Sequence, residues 1–527
     1  MTSAAPERST HRMRAPLAIV ALCISFSAPL IPTSTARAAA VPPNVVIFLA
    51  DDQARGTMAA MPNVMSSIAG PGVAFARAYI SDPLCCPSRA SILTGLYPTH
   101  TGVFTNGGGT DNIQYGGTAA FEANGDSDLT VAKTLHDAGY QTALFGKYLN
   151  GYRTYSLNHP DANGYFRPPG WDVWRAFYEN NGKYYDYDLL RDDAGSTPSL
   201  VHHGHGASKA RNDYSTTVLG NDVMSWLKHR DTASPFFAYV APFAPHGPSG
   251  TDFRDRRRFK GLAPFVSPAI GESAAAKADM PTYVRAAHLS PAALATMQRN
   301  RILQFRALYG FDRQIGRVMT FLNTIDPRTG VPYIRNTIVI YLSDNGVMWG
   351  EHDLTGKAVP YERSTHVPMY LRYDGAPAAS GYFPRTTNHG LVANIDIAPT
   401  IYDFTGVSPP ATLDGASLID GHDDGVLLAE LTQGPGSAPS YCGVVTADGW
   451  KYVVYVPQPD SIEAPYEEEL YRLDDDPYEL NNRAPDTRDR AAQRALTRAR
   501  AMLQRTQGGH HWCQLPGVPS SWYNAWS

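Results

Sequence analysis

The sequence predicts an α/β fold built on a large, mainly parallel sheet. Three continuous apolar runs of strand length lie far apart in the chain, at residues 44–50, 236–240 and 337–342. Unbroken apolar runs of this length are typical of strands that are covered on both faces, as in parallel sheets. Helical patterns separate the runs, and this alternation favours an α/β class. A chain of 527 residues that is 43% hydrophobic can form a large core and more than one domain.

Residues 1–40 have the pattern of a secretory signal peptide. Three arginines within residues 8–14 precede an apolar run over 15–31, and small residues lead to Ala40. We expect cleavage just after Ala38 or Ala40 and therefore a secreted, extracellular protein. The alternative is a retained membrane anchor. Three prolines in the segment argue against it, and no later segment has the roughly 20 unbroken apolar residues that a span requires, so we expect no stable membrane insertion.

Two helical patterns follow in the predicted catalytic domain, residues 41–410. Residues 129–138 place Leu129, Ala132 and Leu135 on one face, and Gly139 is a typical C-terminal stop. A longer periodic pattern covers residues 298–324. We expect both helices to cover the sheet.

A smaller C-terminal subdomain is predicted for residues 411–527. Gly- and Pro-rich sequence up to residue 414 indicates the boundary. Three strand-like runs then predict a small antiparallel sheet, and an amphipathic helix follows; these segments are residues 443–446, 450–455, 469–473 and 488–504.

Polar side chains follow the apolar runs at the point where each predicted strand ends. Asp51 and Asp52 follow the first run, Asp344 and Asn345 follow the last, and His246 follows the middle one. Because the carboxyl ends of parallel strands line one crevice, we expect these groups to lie close together. Oxygen-only ligands are typical of calcium or magnesium sites and disfavour zinc. A net charge of −4 gives no indication of nucleic-acid binding.

The segment from Cys85 to Gly95 contains Cys-Cys-Pro-Ser-Arg followed by Leu-Thr-Gly. It resembles the signature of the type I sulfatases, in which the first cysteine of Cys-x-Pro-x-Arg is oxidised to formylglycine. The alternative is an ordinary buried cysteine pair before a helix. If the resemblance holds, a formylglycine-generating enzyme is a partner during maturation.

The resemblance extends over most of the chain after residue 40. Further segments similar to sulfatase motifs are Leu-Ala-Asp-Asp-Gln at 49–53, Gly-Lys at 146–147, Pro-His at 245–246, Ser-Asp-Asn-Gly at 343–346 and Gly-Glu-His-Asp-Leu-Thr-Gly-Lys at 350–357. The resemblance implies an alkaline-phosphatase-like sandwich, with a large mainly parallel sheet between helices and a smaller C-terminal antiparallel sheet with a helix.

The resemblance also implies a role for each site residue. Calcium, with magnesium as the alternative, would be held by formylglycine 85 and by Asp51, Asp52, Asp344 and Asn345. Arg89 would hold the formylglycine, Lys147 and Lys357 would contact sulfate, and His246 would contact sulfate and protonate the leaving group. His352 and Asn150 are further candidate substrate contacts.

The substrate branch is indicated by a departure from the common sulfatase pattern. Many sulfatases have a histidine where this chain has Leu149, and that histidine is a favoured base for sulfate elimination. Gly-Lys-Tyr-Leu-Asn at 146–150 resembles instead the branch of N-acetylglucosamine-6-sulfatase and the extracellular heparan 6-O-endosulfatases. We therefore expect a sulfatase for sulfated sugars of the N-acetylglucosamine 6-sulfate type. The alternatives are an arylsulfatase of broad specificity, a phosphonate monoester or phosphodiester hydrolase, and a non-catalytic sulfated-glycan-binding protein.

Two features outside the motifs complete the sequence-based expectations. Of the five cysteines, Cys442 and Cys513 are the pair that we expect to form a disulfide, since export permits disulfides. The irregular stretch 248–291 contains four arginines between residues 254 and 258, followed by Lys260. This basic cluster is either a solvated loop or a rim that helps to hold an anionic polymer.

Overall fold

The computed structural model of the chain describes residues 41–107, 115–179, 182–204, 212–431, 437–456 and 467–507, together with residues 510, 511, 513 and 515. The predicted signal segment, residues 1–40, lies outside the described residues. The strands are, in chain order, β1 (Asn44–Ala50), β2 (Val73–Tyr79), β3 (Gln141–Gly146), β4 (Val173–Phe177), β5 (Tyr187–Asp193), β6 (Ser199–His203), β7 (Phe236–Ala241), β8 (Thr337–Ser343), β9 (Met348–Trp349), β10 (Thr355–Gly356), β11 (Met369–Arg372), β12 (Thr386–Ala393), β13 (Gly425–Glu430), β14 (Tyr441–Thr446), β15 (Trp450–Tyr455), β16 (Glu468–Arg472), β17 (Thr506–Gln507) and β18 (His510–His511).

Ten of these strands form one mixed sheet, in the order β12-β2-β11-β8-β1-β7-β3-β4-β5-β6. Its centre, from β8 to β4, is parallel throughout. Strands β11 and β5 run antiparallel to both of their neighbours, so the other eight strands point the same way. The predicted large, mainly parallel sheet is confirmed.

Helices cover both faces of this sheet. They are α1 (Pro62–Val64), α2 (Cys85–Thr94), α3 (Pro98–Thr101), α4 (Gly117–Ala123), α5 (Val131–Asp137), α6 (Tyr152–Asn158), α7 (Ser215–His229), α8 (Thr282–Ala286), α9 (Pro291–Leu322), α10 (Glu362–Thr365), α11 (Ile397–Thr405) and α12 (Arg490–Leu503). Alternate residues of β1 belong to two separate cores, one that contains residues of α2, α5 and α11 and one that contains residues of α7 and α9. This two-sided burial is the reason that the sequence of β1 is apolar without alternation.

Helix boundaries differ from the sequence-based ones where capping residues decide them. The helix expected over 298–324 begins at Pro291, because the hydroxyl of Ser290 accepts the N–H of Ala293 and proline suits the first helical position. The helix expected over 129–138 is α5, which begins at Val131 after the capping residue Thr130. It ends before Gly139, whose φ of +88° is the left-handed conformation expected of a helix stop.

The C-terminal sheet is antiparallel, with the order β13-β14-β15-β16, and α12 packs on it through side chains such as Leu496. Its first strand, β13, was not among the sequence-predicted strands. A disulfide joins Cys442 to Cys513, whose Cα atoms are 6.1 Å apart. Residues 41–527 cluster as one compact unit, to which both sheets belong. Among the described helices, none is both long enough and apolar enough to cross a bilayer.

Candidate active site

The acidic residues meet because β1 and β8 are neighbours in the sheet. Their last residues, Ala50 and Ser343, are paired, so the segments that follow start side by side. The amide N–H of Asp52 donates to Oδ1 of Asp344 over 3.0 Å, and Nδ2 of Asn345 donates to Oδ1 of Asp52 over 2.8 Å. Asp52 has a φ of +66°, a conformation that costs a non-glycine residue free energy and that occurs preferentially at functional sites.

Cys85 lies at the first position of α2 and is 1% exposed. Its Sγ is 3.5 Å from Oδ1 of Asp51 and 3.9 Å from Oδ1 of Asp52. Nζ of Lys357 approaches the same sulfur to 2.7 Å. Burial raises the pKa of the Cys85 thiol to about 12 although Lys147 and Lys357 oppose this shift. The unmodified thiol is therefore neutral and is not itself an activated nucleophile.

Three cationic side chains neutralise the carboxylates around Cys85. Nζ of Lys147 donates to Oδ2 of Asp51 over 2.7 Å, and Lys357 pairs with Asp52. Arg89, one helical turn after Cys85, donates from Nε to Oδ2 of Asp344 over 2.9 Å. All of these carboxylates are buried, so each requires a cationic partner to remain ionised.

The pKa values of Asp51 and Asp344 are shifted in opposite directions from the ordinary value of an aspartate carboxyl group. Burial alone would raise the pKa of Asp51, but the cations around it, with Lys147 the largest contributor, hold that pKa well below its usual value. Burial and the neighbouring carboxylate of Asp51 raise the pKa of Asp344 to about 6 against the effect of Arg89. Asp51 is therefore fully ionised at neutral pH.

The loop after β7 brings His246 to the same cluster. Its Nε2 lies 3.6 Å from Oδ2 of Asp52, while its buried Nδ1 has no hydrogen-bond partner among the described residues. Burial lowers the pKa of His246, and Asp52 partly offsets this effect. Tyr184 fixes the loop because its hydroxyl donates to the carbonyls of Phe243 and His246, both over 3.0 Å.

The donor set suits a hard metal ion, although His246 is an additional candidate ligand that the sequence-based set did not include. Ligand atoms of Asp51, Asp52, Cys85 and His246 all lie within 4.8 Å of one another. Oδ1 of Asn345 is buried beside them and has no hydrogen-bond partner within the described part of the chain. An unsatisfied buried amide oxygen next to carboxylates is a favourable ligand for calcium or magnesium.

His352 and Asn150, the two further candidate substrate contacts, have partners outside this cluster. Nδ1 of His352 is 2.9 Å from Oε2 of Glu272, and its ring packs against Tyr361. The carbonyl of Asn150 accepts a hydrogen bond from the amide of Thr118 over 2.8 Å. Within the described part of the chain, no hydrogen bond or ion pair connects either side chain to Cys85, so substrate binding by these two residues stays a prediction.

Sequence reasoning missed the residues that position His246. Gly182 approaches the imidazole so closely that a Cβ at this position would lie 2.9 Å from Nδ1 of His246. Gly182 and Tyr184 belong to the segment Gly-Lys-Tyr-Tyr-Asp-Tyr at 182–187, which matches none of the sulfatase motifs named above. The signal that could have identified them is the concentration of tyrosines at 184, 185 and 187 before the central strand.

Two family models match this chain. The model described as Sulfatase matches residues 43–407, and the model described as N-sulphoglucosamine sulphohydrolase, C-terminal, matches residues 350–506. The first match includes β1, β7 and β8 and every residue of the cluster around Cys85.

Curated proteins with sequences similar to this chain are named as sulfatases. The N-acetylglucosamine-6-sulfatase of Homo sapiens is 32% identical over 391 residues, which are 72% of this chain and 64% of that protein. A protein of Drosophila melanogaster named Extracellular sulfatase SULF-1 homolog is 29% identical over 384 residues, or 72% of this chain and 31% of the relative. The chain thus spans 31% to 64% of the length of these two relatives.

Solved structures show the same fold. One, described as a complex with its substrate D-glucosamine-2-N,6-O-disulfate, has a TM-score of 0.64 at 23% identity and covers 86% of this chain and 96% of its own. The phosphonate monoester hydrolase of Agrobacterium radiobacter has a TM-score of 0.62 at 21% identity, with coverages of 86% and 95%. These neighbours confirm the predicted alkaline-phosphatase-like fold. Because the first family model matches more than half of the sequence, the chain belongs to the sulfatase family.

Proposed function

We propose that this protein is a sulfuric ester hydrolase that removes sulfate from sulfated sugars, and that it does so through a formylglycine made from Cys85. The observation that carries the proposal is the position of Sγ of Cys85, which lies 3.5 Å from a carboxylate oxygen of Asp51 and 2.7 Å from Nζ of Lys357. This sulfur marks the place of the formylglycine oxygens. A nucleophile at this position contacts both the candidate metal ligands and a cation that attracts sulfate.

Formylglycine suits sulfate transfer because of its hydrated form. The hydrate has two hydroxyl groups on one carbon: one attacks sulfur, and loss of the proton from the other expels sulfate and restores the aldehyde. A formylglycine-generating enzyme would carry out the maturation, and the Cys-x-Pro-Ser-Arg segment supports this step. Arg89, which also donates to the carbonyl of Lys147 over 2.9 Å, would orient the modified side chain.

The chain's own cations would bind the sulfate group. Lys357 already reaches the sulfur of Cys85, and Lys147, which follows β3 at the same edge of the sheet, is bound to Asp51. Ammonium groups act as point charges on sulfate oxygens, and their attraction grows as negative charge builds on the transferred group. His246 would act in its protonated form, which the carboxylates of Asp52 and Asp51 favour against the effect of burial. It would donate its Nε2 proton to the bridging oxygen, so that the alcohol leaves as a neutral molecule.

A metal site completes the proposal. Asp51, Asp52, Asp344, Asn345 and formylglycine 85 would hold calcium, with magnesium as the alternative for the same oxygen ligands. Bound calcium would supply positive charge that acidifies the nucleophile and polarises the sulfate. The unsatisfied Oδ1 of Asn345 supports this assignment independently of the family resemblance.

The substrate class and the location follow from different observations. The names of the relatives favour 6-sulfated N-acetylglucosamine units over simple aryl sulfates. Secretion is supported by the disulfide between Cys442 and Cys513, since disulfides persist in oxidising compartments. A relative that is named extracellular supports the same location.

The test is sulfate release by purified protein in the presence of calcium. The panel contains a heparan fragment that ends in glucosamine 6-sulfate, an aryl sulfate and a phosphodiester. We expect release from the sugar sulfate, none from Cys85→Ala, and normal release from the matched control Cys86→Ala. Turnover of the aryl ester alone would exclude the sugar assignment. Turnover of the phosphodiester alone, by protein shown to carry formylglycine, would exclude the sulfatase assignment.

A further inference from the structure

The loop that follows His246 carries a cationic surface outside the catalytic cluster. We define this basic patch as Arg254, Arg256, Arg257, Arg258 and Lys260, all of which are exposed. Part of the patch lines a cleft of about 410 Å³, together with Asn212, Asp252 and Phe253. The patch is therefore a concave surface with cationic side chains at its edge.

The acidic residues of this region are already neutralised from within the protein. Arg313 donates over 2.8 Å to Oδ2 of Asp252 and over 2.8 Å to Oδ2 of Asp255. Arg254 adds a second guanidinium at Asp252, with Nη2 2.9 Å from Oδ2. Both carboxylates are buried, and Nε of Arg258 also approaches Oδ1 of Asp255 at 3.6 Å. Arg254 and Arg258 are therefore partly engaged by these carboxylates, which leaves Arg256, Arg257 and Lys260 as the outer cations of the patch.

The outer cations of the patch remain without a carboxylate partner. No ion pair connects Arg256, Arg257 or Lys260 to an acidic side chain in the part of the chain that the structure describes. The guanidinium of Arg256 lies over the ring of Phe253, 4.0 Å from its centroid. Stacking of this kind orients a planar guanidinium while its N–H groups stay available for an anion.

Further guanidinium groups lie next to these three residues. Burial lowers the pKa of the neighbouring Arg317, and the charges of Arg254 and Arg313 lower it further. Arg317 donates to the amide oxygens of Asn221 and Gln314 rather than to a carboxylate. The protein as a whole has a formal charge of −4, so an anionic polymer would be attracted to this surface in particular.

Tyrosines hold the patch at a fixed position relative to the catalytic loop. Tyr184, whose hydroxyl binds the carbonyl of His246, packs with its Cβ end against Gly250; a Cβ on Gly250 would lie 2.4 Å from Cβ of Tyr184. The carbonyl of Gly250 accepts a hydrogen bond from Tyr214 over 3.1 Å. Gly250 therefore lies one tyrosine side chain away from His246, and the basic patch begins four residues later.

We propose that the basic patch is a second binding site for the substrate, in which Arg256, Arg257 and Lys260 bind anionic groups of a sulfated polysaccharide outside the catalytic pocket. The inference rests on the proposed function, because it assigns the anion to the same glycan chain whose sulfate is cleaved. Its ligand is a polymer with repeated sulfate or carboxylate groups. A monosaccharide monosulfate or an aryl sulfate carries a single sulfate group and offers no second anionic group to the patch.

The test compares long and short substrates on the mature full-length enzyme. The variant is Arg256→Ala/Arg257→Ala, and the matched control is Arg335→Ala, an exposed arginine before the amino end of β8. We expect the double variant to raise KM for a sulfated heparan octasaccharide about three- to tenfold, as two solvent-exposed ion contacts would. We expect kcat to stay unchanged, as well as kcat/KM for an aryl sulfate. The salt dependence of kcat/KM for the octasaccharide should become weaker.

A binding measurement separates this inference from the proposed function. A fluorescent heparin octasaccharide is titrated into the wild type and both variants at low salt, and a single-stranded DNA oligomer is the comparison ligand. A wild type that binds heparin but cleaves no sulfate ester would contradict the proposed function, while binding of an anionic polymer by the basic patch would still be supported. An equal Kd for heparin in the wild type and the double variant would overturn the inference. An equal loss in Arg335→Ala, or DNA binding as tight as heparin binding, would overturn it too.

Discussion

Two buried clusters of charge can be compared in this molecule, one around Cys85 and one around Lys451 in the C-terminal sheet. In the second cluster, Nζ of Lys451 lies 2.8 Å from Oε1 of Glu362 and donates to Oε1 of Glu479 and to the carbonyl of Pro360 over 2.8 and 2.9 Å. The ammonium group therefore has two hydrogen-bond acceptors and a third anionic neighbour in Glu362, with which it forms an ion pair. Lys451 is fully buried, and the contacts of its ammonium group given above are all with acceptors of the protein itself.

The cluster around Cys85 is equally buried but is not saturated. Oδ1 of Asn345, Nδ1 of His246 and Nη2 of Arg89 lack hydrogen-bond partners among the described residues. Unsatisfied buried polar atoms cost free energy, and a bound ion, a ligand or a water molecule is the usual reason that a native protein keeps them. The comparison indicates that burial and charge alone do not distinguish a functional cluster from a structural one. The position of the unsatisfied atoms does: around Cys85 they belong to three different side chains, whereas Oε1 of Glu362, which is unsatisfied in the second cluster, lies 2.8 Å from the ammonium group of Lys451.

The first prediction concerns a variant that loses turnover but keeps its free energy of unfolding. Cys85→Ala should lower turnover of the sugar sulfate by about 10⁴-fold or more, because removal of a covalent nucleophile leaves only binding and electrostatic effects. The free energy of unfolding, measured in urea, should change by less than about 2 kcal/mol, since the sulfur is small and makes few bonds. Cys86→Ala, with the same loss of a buried sulfur, should keep its turnover. A fully active Cys85→Ala would remove the basis for the distinction between the clusters.

The second prediction concerns a variant that loses stability but keeps its turnover. Lys451→Met should lower the free energy of unfolding by about 3 to 5 kcal/mol, because it leaves Glu362 and Glu479 buried without their cation. The folded fraction should retain the kcat of the wild type. Urea titration and active-site-normalised kinetics measure the two quantities, with the exposed Lys228→Met as the control. Loss of kcat at unchanged stability would show that the second cluster also has a catalytic role.

The third prediction applies the corresponding change to the first cluster. Lys357→Met should lower kcat by about 10²- to 10³-fold, as removal of a group that stabilises developing charge does. Lys357 is 15% exposed, so the loss of stability should be smaller than for Lys451→Met. If Lys357→Met proves to be the more destabilising change and keeps its kcat, Lys357 is structural.

The fourth prediction concerns the metal. Calcium at about 100 times its Kd should stabilise the fold by about 2.7 kcal/mol through binding to the native state. Asp52→Asn should abolish this stabilisation, whereas Asp474→Asn, an exposed change in the C-terminal region, should not. Thermal unfolding with and without calcium measures the effect. An equal calcium effect in Asp52→Asn would place the metal elsewhere.

Much of the site could be predicted from sequence because strand ends and motifs define it. Asp51, Asp52, Asp344 and Asn345 directly follow two apolar runs, and parallel pairing of β1 and β8 brings them together. His246 and the lysines belong to motifs that the family resemblance identified. The roles of these residues remain predictions, but their proximity is a structural fact.

The parts that could not be predicted depend on contacts between distant segments. Gly182 and Tyr184 act on His246 across more than sixty residues of chain, and no local pattern indicates this contact. The early start of α9 depends on Ser290, whose capping role is a local signal that the longer periodic pattern obscured. Strand β13 is short and apolar, and its pairing with β14 became clear only in three dimensions.

The measurement that tests the central claim most directly relates turnover to the modification of Cys85. Protein is prepared with different degrees of conversion, by expression with varying amounts of a formylglycine-generating enzyme. The converted fraction is determined by mass spectrometry of the peptide that contains residue 85, and sulfate release from a 6-sulfated glucosamine oligosaccharide is measured on the same samples. We predict a line through the origin, with turnover proportional to the formylglycine fraction. Turnover that is independent of this fraction would contradict the account.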